Sequence, residues 1–196
     1  MSSVNRSWIL SALVVAAHAA PAHAVECSGD PDSNELSFVD RACSRLTDTW
    51  KKGKDELIFS GYTWHTPWTW TKEARDAENQ WAWGGGYGRT TEEANGNTHT
   101  VFGLAFLDSH KNIEWQIGYA WSTFWGPRDG LQPGLGYTAM IVQRPDIANG
   151  IPFPAVLPLF TLRYRQARVD ATYIPNFGGG INHGSVLYVF GRVILE

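Results

Sequence analysis

From about residue 56 onward, bulky and small residues alternate along the chain. Successive side chains of a β-strand point to opposite faces, so this period is typical of strands whose two faces meet different surroundings. The clearest stretch alternates Trp115, Ile117, Tyr119 and Trp121 with Glu114, Gln116, Gly118, Ala120 and Ser122. Further strands are predicted near residues 98–108, 155–164, 167–174 and 185–195. Turn-rich segments separate these stretches, and the whole pattern predicts eight strands.

The two faces of the predicted strands differ in a way that indicates a membrane. One face is bulky and aromatic, for example at Ile58, Tyr62 and Trp64, whereas the other is small or polar. A soluble sheet buries its large apolar face, but a transmembrane barrel turns that face toward lipid. The chain has ten Trp, which suit the aromatic girdles found where a membrane protein meets the membrane–water interface. Only 18% of its residues are charged. We predict an all-β, eight-stranded antiparallel transmembrane barrel over residues 56–196, with a secreted lipocalin-like barrel as the alternative.

The residues before the barrel divide into a leader and a helical segment. Arg6, an apolar run at residues 8–17 and the A-x-A site at 22–24 predict a signal peptide over residues 1–24. In residues 25–55, apolar side chains at helical spacing predict one amphipathic helix at about 36–51. This helix either packs on a soluble core or lies in a membrane interface. Cys27 and Cys43 would reach an oxidising compartment, which favours a disulfide over free thiols.

Small residues on the second face would leave room inside the barrel. An eight-stranded barrel is normally just wide enough for its own side chains to fill. The small residues that share this face are Gly84, Gly86, Gly88, Gly118, Ala120, Gly134 and Gly136. The resulting apolar slot would suit an acyl chain.

Three side chains with chemical potential follow the ends of predicted strands. His65 ends the first strand, and Asp108 with Ser109 ends the third. Because alternate strands of an antiparallel barrel run in the same direction, these ends share one rim. Histidine can act as a general base, the carboxylate can orient it, and the hydroxyl can donate a hydrogen bond or act as a nucleophile. On the residues alone, a solvated rim histidine carries about equal weight.

Charge and cysteine content exclude two other classes. The formal net charge of −3 gives no basic surface for nucleic acid. Two cysteines without clustered histidines make a poor zinc site, so no metal is expected.

Short segments along the predicted barrel match one known family in order. They are residues 63–65, 83–88, 105–106, 108–109, 118–119, 152, 156–159 and 172–175. With these segments the chain resembles the PagP family of lipid A palmitoyltransferases from the Gram-negative outer membrane. The resemblance implies an outer-membrane enzyme that moves a palmitoyl or similar chain from a glycerophospholipid to a lipid A hydroxyl, without a cofactor. A monomer or homodimer is expected, and the alternative is a noncatalytic structural or lipid-carrying barrel.

The resemblance also assigns roles to individual residues. It implies that His65, Asp108 and Ser109 are essential, and that Ala120 stands where the family has a glycine at the floor of the acyl pocket. Pro158 and Pro175 lie near the ends of adjacent predicted strands, where proline interrupts the hydrogen-bond ladder. We expect lateral access for lipid at that interruption. The family's second proline pair falls on Ser60 and Ala82, so any second opening is expected to be less open.

Overall fold

A computed structural model describes Cys27, residues 29–177 and residues 184–195. The predicted signal peptide lies outside the described residues. Helix α1 (Phe38–Lys52) precedes the strands, and the short helix α2 (Lys72–Ala77) and a 3-10 turn (Ala148–Gly150) lie in loops. The strands are β1 (Lys54–His65), β2 (Gly84–Glu92), β3 (Thr98–Leu107), β4 (Ile113–Phe124), β5 (Leu131–Gln143), β6 (Phe153–Tyr164), β7 (Ala167–Ile174) and β8 (Val186–Ile194).

The eight strands form a closed barrel in which each strand pairs antiparallel with its neighbour in sequence. Pairing of β1 with β8 closes the cylinder, from Glu56 opposite Ile194 to His65 opposite Val186. The predicted eight-stranded antiparallel barrel is therefore confirmed. None of the described helices is both long and apolar enough to cross a bilayer.

Two rims follow from this topology. Strands β1, β3, β5 and β7 end at one of them, which we call the His65 rim. The opposite rim is called the helix rim, because α1 contacts the neighbouring part of β2 and β3 there.

The outer face of the barrel is apolar over most of its strands. Ile117 and Leu135 are about half exposed, whereas Gln116 and Ser122 on the other face of β4 are buried. The predicted faces of β4 and β5 are therefore correct.

In β1 the predicted face is wrong for Ile58, which is 3% exposed and lines the lumen. The ladder with β8 contains a bulge between Ser60 and Tyr62, with Gly61 as the extra residue. A bulge shifts the alternation by one residue. Leu57 therefore faces outward before the bulge, and Tyr62 belongs to the outer face after it. A Cβ at Gly61 would lie 2.7 Å from the Val189 carbonyl oxygen, so the close approach requires glycine.

Near the helix rim the lumen is filled by a cluster of buried charges. Arg192 bonds to Asp170 and lies 3.4 Å from the carboxylate of Glu56. Arg168 donates to the Thr98 hydroxyl at 3.2 Å. Removing one partner of such a buried pair typically costs about 3–5 kcal/mol, because the other charge is left uncompensated. The cluster therefore holds the strands that carry these charges together at the helix-rim end of the lumen.

Helix α1 begins where the hydroxyl of Ser37 accepts a hydrogen bond from the Asp40 amide, and it ends at Gly53. The predicted helix is confirmed, with bounds shifted by one or two residues. Cys27 and Cys43 form a disulfide with their Cα atoms 5.5 Å apart, as expected.

One side of α1 contacts the barrel and the other is open. Trp50 meets Tyr87 of β2 edge-on, with ring centroids 6.4 Å apart. Phe38 and Val39 near the start of the helix are largely exposed. An amphipathic helix with exposed apolar residues fits a membrane interface, one of the two positions open from the sequence.

Candidate active site

A cavity of about 400 Å³ occupies the barrel interior on the side of the His65 rim. Its lining is mostly aliphatic and aromatic, and includes Leu104, Phe106, Met140, Val142, Leu157 and Tyr188. Polar lining residues include Asp108, Ser109, Glu114 and Arg144, which lie at or near the rim. An apolar cavity with a few polar groups at one end is typical of a ligand site.

His65 and Ser109 converge at this rim, although they lie 44 positions apart in the chain. His65 Nε2 lies 3.0 Å from Ser109 Oγ, which is hydrogen-bond distance. His65 is the last residue of β1 and is 2% exposed, so it is not a solvated rim histidine. Ser109 is the member of the pair that lines the cavity. The pair has the geometry of a hydroxyl activated by an imidazole.

Asp108 reaches the site through a tight turn. Strand β3 ends at Leu107, so strict alternation no longer forces Asp108 and Ser109 to opposite faces. Asp108 Oδ1 accepts hydrogen bonds from the amides of His110 and Asn112, each at 2.8 Å. Its Oδ2 is buried without a hydrogen-bond partner among the described residues. In this structure the carboxylate shapes the turn, and its bonds go to backbone amides.

An ion-pair cluster beside Asp108 was missed by sequence reasoning. Arg144 donates to both carboxylate oxygens of Asp146, at 3.1 and 2.8 Å, and lies 3.5 Å from Glu114. Burial alone would lower the pKa of Arg144, but the hydrogen bond to Asp146 and the carboxylate of Glu114 raise it above the ordinary value. Burial would likewise raise the pKa of Asp146, yet the bond and charge of Arg144 lower it. Both groups therefore stay ionised at neutral pH.

The same cluster contains side chains that metals use as ligands. Possible ligand atoms of Asp108, His110 and Asp146 lie within 4.8 Å of one another. Arg144 already supplies a positive charge to Asp146 through two hydrogen bonds. We therefore describe Asp108, His110, Arg144 and Asp146 as an ion-pair cluster at the cavity mouth, and we do not assign a metal to it.

The predicted pocket residues take two different positions. Ala120 is buried and lines the cavity; it is the only residue of that predicted set among the described lining residues. At Gly84, Gly86 and Gly136 an added Cβ would overlap the backbone of a neighbouring strand, and at Gly88 and Gly118 it would crowd one. These glycines permit close strand approach, which shapes the lumen without forming its surface.

The ladder between β6 and β7 is incomplete on the side of the His65 rim. Pairing stops at Leu159 opposite Thr172, so residues 153–158 have no β7 partner in the ladder. Thr172 Oγ1 donates to the Pro158 carbonyl at 2.8 Å, and Pro175 lies just beyond the end of β7. The consecutive residues 153–157 all line the cavity, including the exposed Val156. The cavity therefore extends to the edge of the barrel wall here.

Between β1 and β2 the wall is more complete. The regular ladder stops at Phe59 opposite Gly85, but the amide of Ala82 donates to the Gly61 carbonyl at 3.0 Å. The amide of Thr63 also donates to the Gln80 carbonyl at 2.8 Å. A proline at position 82 would have no N–H for the first of these bonds. This matches the expectation that Ala82 makes a second opening less open.

Comparison with known proteins agrees with the geometry. The family model described as "Antimicrobial peptide resistance and lipid A acylation protein PagP" matches residues 45–192, which is most of the chain. The chain belongs to the PagP family. A protein of Legionella pneumophila named "Lipid A acyltransferase PagP" is 39% identical over 172 residues, covering 88% of this chain and 90% of that protein.

Two further PagP relatives carry the same name. The protein of Methylobacillus flagellatus is 39% identical, covering 82% of this chain and 86% of its own length. The protein of Bordetella pertussis is 37% identical, covering 88% of this chain and 90% of its own length. The resemblance stated from the sequence is thus confirmed at the level of the family.

Asp108 Oδ1 accepts two backbone hydrogen bonds, so substitutions can separate the part of Asp108 in holding the turn from the part of its negative charge in the reaction. Asp108→Asn keeps an acceptor oxygen for the two amides, so we expect a folded barrel with an intact turn. If the carboxylate charge stabilises the protonated ring of His65, the rate of the reaction at this site should fall about 10²-fold or more in the same variant. Asp108→Ala should lose both the turn and the activity. Heat-modified electrophoretic mobility reports folding, and full activity of folded Asp108→Asn would reduce Asp108 to a turn residue.

Proposed function

We propose that this PagP-family protein is a lipid A acyltransferase. Its donor is a glycerophospholipid carrying a palmitoyl or similar chain, and its acceptor is a lipid A hydroxyl. The observation that carries the proposal is the His65–Ser109 pair, with Nε2 and Oγ 3.0 Å apart at the mouth of an apolar cavity.

The location follows from the acceptor. Lipid A belongs to the outer leaflet of the outer membrane, so we assign the His65 rim to the external side and the helix rim to the periplasmic side. The apolar outer face of the strands supports a membrane position. Helix α1, with Phe38 and Val39 exposed, would then lie at the periplasmic interface.

In the proposed reaction the donor ester breaks between its acyl carbon and a glycerol oxygen. A new ester forms between that carbon and a lipid A hydroxyl oxygen. The hydroxyl proton passes to His65 as general base and then to the departing glycerol oxygen, which leaves a lysophospholipid. Because Ser109 lines the cavity and contacts His65 Nε2, its hydroxyl is the group positioned to meet the ester.

Ser109 has two possible parts in this transfer. It either relays the proton and stabilises the oxyanion, or attacks the ester and carries the acyl chain itself. Mass spectrometry of protein incubated with donor alone separates them. An acyl adduct on Ser109 identifies the covalent route, whereas unmodified protein with full subsequent transfer identifies the direct one.

A noncatalytic lipid-carrying barrel is the competing function. It would need the cavity, but it would not need a buried histidine in contact with a serine. The convergence of His65 and Ser109 therefore favours the enzyme.

Replacement of the base tests the function directly. His65→Ala should give a folded, heat-modifiable barrel that no longer adds an acyl chain to lipid A, as measured by mass spectrometry of lipid A from expressing cells. The matched control is His110→Ala, since His110 lies on the same rim and is partly exposed. We expect the control to retain acylation, and unchanged acylation by folded His65→Ala would refute the assignment.

We propose that the incomplete β6–β7 ladder is the route by which the donor reaches the cavity. A lipid in the outer leaflet must move its acyl chain sideways through the barrel wall. The cavity reaches the wall where residues 153–158 lack a β7 partner in the ladder, beside Pro158. Pro158 and Pro175 fit this role because proline cannot donate to the ladder.

A reversible cross-link tests this route. Pro158→Cys with Tyr173→Cys would join the two strands just beyond the last ladder pair, and the disulfide should slow transfer about tenfold or more. This follows if the donor can enter only by separating the strands. Phe160→Cys with Ala171→Cys is the control, because those positions are already paired. Reductant would also open the native Cys27–Cys43 disulfide, so the parent protein is assayed with and without reductant as a further control. Full activity with the Pro158→Cys/Tyr173→Cys pair linked would exclude the route.

We propose that Ala120 contributes to the floor that measures the acyl chain. Ala120 lies opposite Thr100 in the ladder, and Thr100 Oγ1 accepts a hydrogen bond from Arg192 at 3.3 Å. At this level the apolar cavity meets the buried charges. An acyl chain gains little from contact with a charged group, so the apolar slot ends here.

Removing the Ala120 methyl group should therefore lengthen the slot. Ala120→Gly should shift the preferred donor to a chain roughly one carbon longer, because overpacking a filled slot costs about 1–3 kcal/mol per added group. The parent should prefer palmitoyl or a slightly shorter chain. The control is Ala139→Gly on the outer face of β5. Donors of graded length give the profile, and identical optima for parent and Ala120→Gly would show that other side chains set the floor.

A further inference from the structure

The turn that follows β1 covers the imidazole of His65. Trp70 meets the His65 ring edge-on, with centroids 4.8 Å apart and an interplanar angle of 83°. His65 Nδ1 is buried, and among the described residues it has no hydrogen-bond partner. The ring is thus hydrogen-bonded on its Ser109 side only. Because the χ2 torsion of histidine is broad, one hydrogen bond leaves the ring plane poorly defined without packing.

Trp70 is itself held by hydrogen bonds to the start of β8. Its indole Nε1 donates to the Ser185 carbonyl at 3.1 Å. The Thr66 amide donates to the same carbonyl at 3.1 Å, and the Trp70 amide donates to the Thr66 carbonyl at 3.1 Å. The Ser185 amide in turn donates to Thr69 Oγ1 at 2.9 Å. The turn at residues 66–70 is therefore tied to Ser185 by both backbone and side-chain bonds.

Space around the indole is also limited. A Cβ at Gly184 would overlap the indole of Trp70. Glycine at position 184 therefore lets the backbone before β8 pass directly against Trp70. Asn176, after the end of β7, donates its amide to Ser185 Oγ at 3.2 Å, so three segments meet at Ser185.

We propose that Trp70 is a positioning residue for the base His65, held in place by Ser185. Its indole fixes the imidazole plane, and the plane sets the direction of Nε2 toward Ser109. Misplacement of a catalytic group by about 1 Å can cost about 10²-fold in rate, so such a restraint has a measurable effect. This inference rests on the proposed acyl transfer, in which His65 acts as the base.

Variants of Trp70 test the restraint through kcat and KM. Trp70→Leu should lower kcat about tenfold or more with little change in KM, because the donor cavity is untouched. Trp70→Phe keeps an aromatic ring against His65 but loses the bond to Ser185, and should recover most of the loss. Trp68→Leu is the matched control, since Trp68 meets Trp64 edge-on in the same turn but is 66% exposed. We expect kcat of the control to stay within about twofold of the parent.

Gly184→Ala tests the same contact without removing the indole. The added methyl group should displace Trp70 and lower kcat in the parent background, with no further loss in the Trp70→Leu background. This non-additivity is expected when two changes act through one contact. If Trp70→Leu fails to fold, the loss of kcat in the single Gly184→Ala variant tests the contact alone, and an unchanged kcat in that variant would overturn it.

A readout independent of activity separates this inference from the proposed function. In protein labelled with ¹⁵N-histidine and held in detergent micelles, the ring signals of His65 should broaden in Trp70→Leu and not in Trp68→Leu; broadening is the readout, because loss of the indole ring current alone would shift them. His65 signals of unchanged width and an unchanged kcat in folded Trp70→Leu would overturn the positioning role. Absence of lipid A acylation by the parent would instead overturn the proposed function, while broadened His65 signals would still support the restraint.

Discussion

Closure of the barrel is the constraint on which the other features depend. Within lipid every backbone N–H and C=O needs an internal partner, and only a closed ladder provides one for every strand. The β1–β8 pairing that completes the ladder places His65 opposite Val186, directly beside Ser185. The same closure brings the ends of β1 and β3 to one rim, where His65 meets Ser109. The His65–Ser109 pair is thus a consequence of strand number and direction, although its members lie 44 positions apart in the chain.

The lumen of this closed wall is divided along its length. Glycines such as Gly84 and Gly136 let neighbouring strands approach closely, and the apolar cavity forms on the side of the His65 rim. On the other side Arg192, Asp170 and Glu56 are buried and paired. The cavity is thus polar at its mouth, apolar along its length and bounded by buried charges at its base. The β6–β7 ladder stops short of the His65 rim, and this is the place proposed above for lateral access.

Much of this arrangement was predictable because period-two alternation reports directly on the faces of a strand. The faces of β4 and β5 and the shared rim of His65 and Ser109 followed from it. The prediction failed at Ile58, because the bulge at Gly61 shifts the alternation by one residue. In the sequence the bulge is marked by a single glycine, which is too weak a signal to predict it. Trp70 and Arg144 lie outside the strands, where no period exists to predict their contacts. Glu114 did carry a signal, as the one carboxylate on the small or polar face of β4.

The buried charges near the helix rim have a consequence for the membrane that holds the barrel. A cavity open to one side of a membrane would become a channel if it continued to the other. In the described part of the chain, the guanidinium and carboxylate groups around Arg192 occupy that continuation. In the outer-membrane position proposed above, these groups would act as a plug, so that additional copies of the barrel would add no open path for ions or small solutes.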